Sequence, residues 1–417
     1  MTTTFAPDFR WGVSTAAHQI EGNNTNSDLW LMENILPTCF VDRSGDACDS
    51  YHRHEADADL CATLGLTSYR FTIEWARVEP SPGHFSQAEL DHYRRVCEAL
   101  IERGVEPCPT FFHCSAPRWF AERGGWLAPD AQERFAAYCA KVTEELGHLF
   151  GIAFTINEPQ VGRSFRALPG SEGYFGPQDA REHTAHEAAA TASGVERFVT
   201  MNHPDVEGMQ RPLMAGHSAA VAAIKALRPD LSVGITLNIT DFVAVNTEAD
   251  AAAVRDGAYA DWMAHLASGH DDFVGVQVYR QLPITGPGDP IEFEPLPIAI
   301  PGNVMSNLVR PEALRNAVAY VHEATGKPIV VSENGLESDD DEARVWYLQN
   351  AIPALEEAVD AGVPVEGYFH WSLLDNFEWE RGYASRYGLH NVDPGTFERT
   401  PKPSADAYAE IVRRHRA

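Results

Sequence analysis

Apolar and polar positions alternate between two patterns along the 417-residue chain. Short runs rich in apolar and β-branched residues recur, as expected of parallel strands buried on both faces. Eight runs stand out: Phe9–Ser14, Ser68–Ile73, Val105–Phe112, Ile152–Ile156, Ser232–Leu237, Phe273–Val278, Pro328–Ser332 and Val365–Trp371. Helical periodicities separate them. Ser86-Gln-Ala-Glu89 predicts a capping box, with the Ser86 hydroxyl accepting from the third amide and Glu89 reaching back. The helix it opens is expected to run to Arg103, with Gly104 as its left-handed cap. Pro129 is expected to open a second helix that Gly147 ends. A pattern from Glu342 to Ala361 stops at Gly362 and carries Pro353, where a kink or division is expected. Ser404–Arg414 reads as a closing amphipathic helix.

Eight strand–helix units with no linker, low-complexity segment or short repeat predict an α/β chain. The expected form is a single (β/α)8 TIM barrel, one catalytic domain over residues 1–417. An open doubly wound sheet would give the same periodicity, because periodicity does not report closure. Two long connections, from Pro159 to about Pro212 and from Gln281 to about Leu308, are candidates for functional loops.

Charge and cysteine usage narrow the partners. The 32 basic and 60 acidic residues give a net charge of −28, a field that repels phosphate backbones and anionic membranes. No nucleic-acid or membrane partner is expected. The seven cysteines (Cys39, Cys48, Cys61, Cys97, Cys108, Cys114 and Cys139) form no CxxC pair and read as free thiols. The start, Met1-Thr-Thr-Thr-Phe-Ala-Pro-Asp-Phe-Arg-Trp-Gly12, has no basic-then-apolar signal, and no apolar run is long enough to span a bilayer. A cytoplasmic location is the expectation. The oligomeric state stays open.

Candidate chemistry gathers where the strands run out, which is the catalytic face of such a barrel. His18, Gln19 and Glu21 follow the first strand, and Arg70 lies in the second. His113 ends the third and Asn157-Glu158-Pro159 the fourth. Tyr279 ends the sixth, Glu333-Asn334-Gly335 the seventh, and Trp371 with Leu373–Trp379 the eighth. One strand-end glutamate has ordinary structural uses; seven strand ends bearing polar or aromatic groups point to a site. Burial raises a carboxyl pKa, whereas a nearby Arg70 holds a neighbouring carboxylate ionised, the separation that one acid and one nucleophile need. At about 5–5.5 Å apart, two such carboxyls give retention through a covalent glycosyl intermediate. Aromatic faces beside carboxylates and amides suit a sugar, which has one apolar face and directed hydroxyls. No HxxxH, HExxH, Walker or GxGxxG pattern is present, so neither a metal nor a nucleotide is expected. In particular, His113, Cys114 and His370 are not read as a metal set. His52 with His54, and His183 with His186, read as solvated helix faces.

These residues sit in stretches that resemble glycoside hydrolase family 1, the β-glucosidase family, over nearly the whole chain. The resemblance rests on Trp11–Gly22, Tyr69–Trp75, Thr155–Pro159, Ser332–Gly335 and Gly367–Trp379, extended by Arg386–Leu389 and Arg399–Lys402. It implies Glu158 as general acid/base and Glu333 as nucleophile. It implies Asn157 on the sugar 2-hydroxyl, and Arg70 and Tyr279 in contact with Glu333. Gln19, His113, Glu378 and Trp379 would bind the remaining hydroxyls of the terminal sugar, over Trp371 as floor. It implies no cofactor and a small glycoside as substrate. An acidic Glu378 would repel a 6-phosphate, so a neutral gluco-, galacto- or fuco-type sugar is expected.

Several positions depart from the family pattern. Cys114 stands for a tryptophan, Gln160 for an aromatic and Gln277 for the first residue of Asn-Tyr-Tyr. His370 stands for a small or apolar residue, His18 for tyrosine and Glu74 for serine, and a loop tryptophan is absent from Gly286–Ser306. Loss of a stacked indole is expected to weaken aryl glucosides by roughly 1–3 kcal/mol. Hydrolysis of terminal non-reducing β-glycosides is therefore the leading expectation. Transfer of the sugar to an acceptor alcohol near Gln160 and His370 is the second, and a sugar-binding protein without turnover the third.

Overall fold

The computed structural model describes residues 5–162, 171–203, 205–245, 251–285 and 295–416. Eight parallel strands close into a barrel: β1 (Arg10–Ser14), β2 (Ser68–Thr72), β3 (Glu106–Phe112), β4 (Ile152–Asn157), β5 (Ser232–Asn238), β6 (Phe273–Val278), β7 (Ile329–Asn334) and β8 (Val365–Trp371). β1 pairs with β2 on one side and β8 on the other, so the sheet is closed, not open. Eight helices follow the strands: α1 (Ser50–Thr63), α2 (Gln87–Glu102), α3 (Ala131–Leu146), α4 (Val206–Leu227), α5 (Ala251–Ser268), α6 (Ala313–Thr325), α7 (Asp341–Asp360) and α8 (Pro403–Arg416). The inner core is a plug of Cys108, Ile152, Phe154, Phe273, Val330 and Phe369. A second, larger apolar layer packs the helices onto the outside of the strands.

Local chemistry explains most element ends and corrects some expectations. Ser86 Oγ accepts from the Glu89 amide, but Glu89 takes its bond from the Tyr51 hydroxyl, so the box is only half formed. Gly104 does adopt the left-handed conformation that a side chain would resist. α3 begins two residues after Pro129, and a short 3-10 turn, Gly147–Leu149, follows it. α7 runs through Pro353 unbroken. The first long connection contains an additional helix, Ser171–Ser193, and Pro212 lies inside α4 rather than before it. The second opens with the short strand Gln281–Ile284, paired to Asp241–Ala244. Of the Gly286–Ser306 stretch, 286–294 lies outside the described residues. His186 is buried and bonded to Thr200 Oγ1 and Glu182 O, not solvated. His52 and His183 are exposed and His54 is half-buried. All seven cysteines are free, and no described helix is long and apolar enough to cross a membrane.

Two irregularities in strand pairing position the site. Between Phe154 and Asn157, β4 advances three residues while β5 advances two, Gly234 to Thr236. Between Val331 and Glu333, β7 advances two residues while β6 advances one. Each strand thus holds one extra residue just before its glutamate-bearing end. A strand reverses facing at every residue, so one inserted residue turns the rest of the strand to the opposite face. Phe154 and Asn157 therefore both face the barrel interior, although three positions separate them.

Candidate active site

Arg70 is the centre of the arrangement. It is fully buried, with its guanidinium 5.0 Å from the Phe154 ring. Nη1 donates to Glu333 Oε1 at 2.5 Å and Nη2 to Asn157 Oδ1 at 2.6 Å. A buried cation needs such partners to offset its desolvation. Tyr279 donates to the other Glu333 oxygen, Oε2, at 2.7 Å. Asn157 Oδ1 also accepts from Thr236 Oγ1 at 3.0 Å and from Gln277 Nε2 at 2.8 Å. With three donors on its oxygen, Asn157 keeps its Nδ2 for the pocket.

Glu158 follows Asn157 on a backbone at φ 48°, and its amide donates to Thr236 O. Its half-buried carboxyl accepts from Asn238 Nδ2 at 2.7 Å. Burial, and then the charge of Glu333, push the Glu158 carboxyl up to about 7. Burial raises Glu333 too, but Arg70 and Tyr279 both oppose it. The two carboxyls are thus both raised, and only Glu333 has an arginine bonded to it. Tyr279→Phe is expected to lower kcat on the order of tenfold, the usual scale of one lost hydrogen bond, and to shift the acidic limb of kcat/KM upward. Steady-state rates between pH 4 and 9 check this.

The remaining residues form the wall. Trp371 is buried at the end of β8, and its ring centre is 5.8 Å from that of His113. His113 is 5.9 Å from Trp379, and burial followed by Arg70 holds it neutral, well below its ordinary pKa. Gly335 lets the end of β7 lie against the Trp371 carbonyl, since a Cβ there would lie 1.9 Å from Trp371 O. Gln19 Nε2 donates to Glu378 Oε2 at 3.0 Å and to Phe377 O at 2.8 Å. Burial, then Glu333 and Glu337, push Glu378 up to about 8. Arg381 beside it pairs with Glu337, Nη1 donating to Oε2 at 2.8 Å and Nη2 lying 2.6 Å from Oε1. Cys114 is half-buried at φ 65°, and burial followed by Glu158 keeps its thiol protonated.

Three departures from the family pattern do not line the open pocket. Gln160 is fully buried and donates to Asn238 O. Gln277 is fully buried beneath Asn157. His370 alternates with the plug residue Phe369, so it points outward, 5.6 Å from the Tyr408 ring of α8. Its expected place near an acceptor is corrected by strand parity. His18 stacks on Trp379 at 6.1 Å, and Glu74 accepts from Ser115. Sequence reasoning missed Thr236, Asn238, Arg280, Glu337 and Arg381. Asn238 ends β5, and the strand-end rule applied to β5 would have found it. Among the described residues no group of three His, Cys, Asp or Glu could hold a metal. A wide concavity of about 860 Å³ lies at the opposite, N-terminal end of the barrel, around Phe5–Arg10 and Val363–Glu366, away from this cluster.

The family model for glycosyl hydrolase family 1 matches residues 1–266 and 291–417. The chain belongs to glycosyl hydrolase family 1. Thermostable β-glucosidase B of Thermobispora bispora is 31% identical, over 99% of this chain and 91% of its own length. The crystal structure of β-glycosidase BGL167 superposes with a TM-score of 0.88 at 41% identity, covering 99% and 98% of the two chains. A cyanidin 3-O-glucoside 7-O-glucosyltransferase (acyl-glucose) of Delphinium grandiflorum is 28% identical over 98% and 90%. The family 1 protein is thus a glycosyl hydrolase of the β-glycosidase type, which removes the reading without turnover. The family match is interrupted over 267–290, the stretch that carries β6 and Tyr279. There the placement of Tyr279 stands on its own contact with Glu333.

Proposed function

We propose that this family 1 enzyme is a retaining exo-β-glycosidase for neutral terminal sugars, acting through a covalent glycosyl–Glu333 intermediate with Glu158 as acid/base. The asymmetry between the carboxyls carries the reading. Glu333 receives an arginine and a tyrosine donor, which favour a carboxylate nucleophile. Glu158 receives a neutral amide and rises to about 7, which favours a proton donor. In the first step a Glu333 oxygen bonds to C1, the C1–O bond breaks, and the Glu158 proton goes to the leaving oxygen. Esterification removes the negative charge of Glu333, a cause of the raised Glu158 pKa. Glu158 then becomes the base for the incoming water, whose attack on C1 frees Glu333. In this reading Asn157 Nδ2 holds the 2-hydroxyl, with Gln19, His113, Glu378 and Trp379 on the others above Trp371.

A neutral sugar is supported by the pairing and hydrogen bonding around Glu378. A 6-phosphate beside Glu378 would find Arg381 already engaged by Glu337, and near neutral pH Glu378, at about 8, can donate or accept a sugar hydroxyl bond. A chromogenic panel followed by NMR of the first-formed anomer tests both parts. The expected product is the β-anomer of a neutral sugar; an α-anomer, or preference for a 6-phosphoglucoside, would overturn the reading. Transfer to an acceptor alcohol stays as the second reading because the Delphinium relative is a glucosyltransferase. Its sequence motive is gone, as Gln160 and His370 are buried out of the pocket. Free sugar as the sole product in the presence of added alcohols would remove it.

A further inference from the structure

We propose that Asn238, pinned by Gln160, is the positioning residue that aims the Glu158 carboxyl at the glycosidic oxygen; this rests on Glu158 being the acid/base. The three residues form a closed circuit. Asn238 Nδ2 donates to Glu158 Oε1 at 2.7 Å, and Gln160 Nε2 donates to Asn238 O at 2.7 Å. The chain thus leaves β4, presents Glu158, and two residues later returns to hold the residue that holds Glu158. With Oε1 occupied by the amide, Oε2 is the oxygen left to carry the proton.

The shelf under Asn238 is pinned by backbone bonds on successive residues. Ile239 donates to Gln277 O at 2.8 Å, Thr240 to the Tyr259 hydroxyl at 2.9 Å and Asp241 to Arg280 O at 3.2 Å. Gln160 is fully buried and its Oε1 has no partner among the described residues. An apolar residue would fill that space without an unpaired acceptor, but could not donate to Asn238 O. The amide contact is what glutamine adds there over the aromatic of the family pattern.

Other groups face Glu158 from every side: Glu333 on β7, Arg70 on β2, Cys114 after β3, and Tyr279 and Arg280 after β6. Glu333 favours the protonated form, and the two arginines disfavour it. The Asn238 bond stabilises the ionised form, so its loss moves proton release to higher pH.

The test uses Asn238→Ser and Gln160→Met in the full chain, with aryl glycosides of good and poor leaving groups. For Asn238→Ser the alkaline limb of kcat/KM is expected to rise by about one pH unit, the scale of one hydrogen bond. Activity on the poor leaving group is expected to fall by about tenfold or more, while the activated glycoside changes little. Gln160→Met is expected to move both readouts the same way by less, and it carries the test if Asn238→Ser fails to fold. Equal losses on both glycosides with an unmoved limb would make the pair structural and overturn the proposal, as would wild-type kinetics in the folded variants. Glu158→Gln run alongside separates the two levels. If it keeps the alkaline limb and shows no leaving-group dependence, the acid assignment itself falls, and this proposal with it.

Discussion

Glu333→Gly is expected to lower turnover on the order of 10⁵-fold or more, as loss of a covalent nucleophile does when the rest of the site cannot replace it. Glu333 is 4% exposed and held through both oxygens by Arg70 and Tyr279, so its carboxylate is fixed in one position. The variant leaves Arg70 facing an anion-sized gap. Azide is expected to enter that gap, attack C1 from the nucleophile's face and give an α-glycosyl azide from a β-glycoside. NMR of the product decides the role. A β-azide, or turnover within tenfold of the parent, would show that Glu333 is not the nucleophile.

Glu158→Gln is expected to lose on the order of 10²–10⁴-fold on glycosides with poor leaving groups, with a much smaller loss where the leaving group needs no proton. The parent should lose kcat/KM as pH rises through about 7, where Glu158 releases its proton, and the variant should lack that limb. Stability gives a second readout with a defined sign. From pH 4.5 upward the unfolded chain releases this proton, while the folded chain holds it until about 7. The folded state therefore loses stability across that window and carries the cost above it. A shift from 4.5 to about 7 corresponds to roughly 3 kcal/mol at most, less because solvent at the mouth screens the half-buried carboxyl. Glu158→Gln should melt higher than the parent at pH 8, with the gap closing toward pH 4. Calorimetry across that range checks it; an equal or lower melting temperature at pH 8 would contradict the burial cost.

The tertiary arrangement changes how the substitutions around the pocket read. Gln277 replaces a family residue yet donates to Asn157, and Gln160 replaces an aromatic yet braces Asn238. Both are internal supports rather than lost sugar platforms. Cys114 remains at the wall as a half-buried protonated thiol, so the lost indole there is the change that bears on aryl aglycones.

Strand and helix order was legible in the sequence because each element must bury an apolar face with its own period, and that periodicity is local. The strand-end polar residues were legible for a related reason: a charged or amide group interrupts the apolar run where a buried strand ends. Strand ends were read short at β4, β5 and β7, because Asn157, Asn238 and Asn334 are polar but still pair. Closure of the sheet, the outward direction of His370 and the meeting of Asn157 with Arg70 were not legible. Closure depends on β1 meeting β8 across most of the chain. His370 follows from strand parity once the plug is known, but Asn157 and Glu333 break that parity through one extra residue in β4 and one in β7. Such an insertion exists only relative to a neighbouring strand, so it leaves no mark on the chain that carries it.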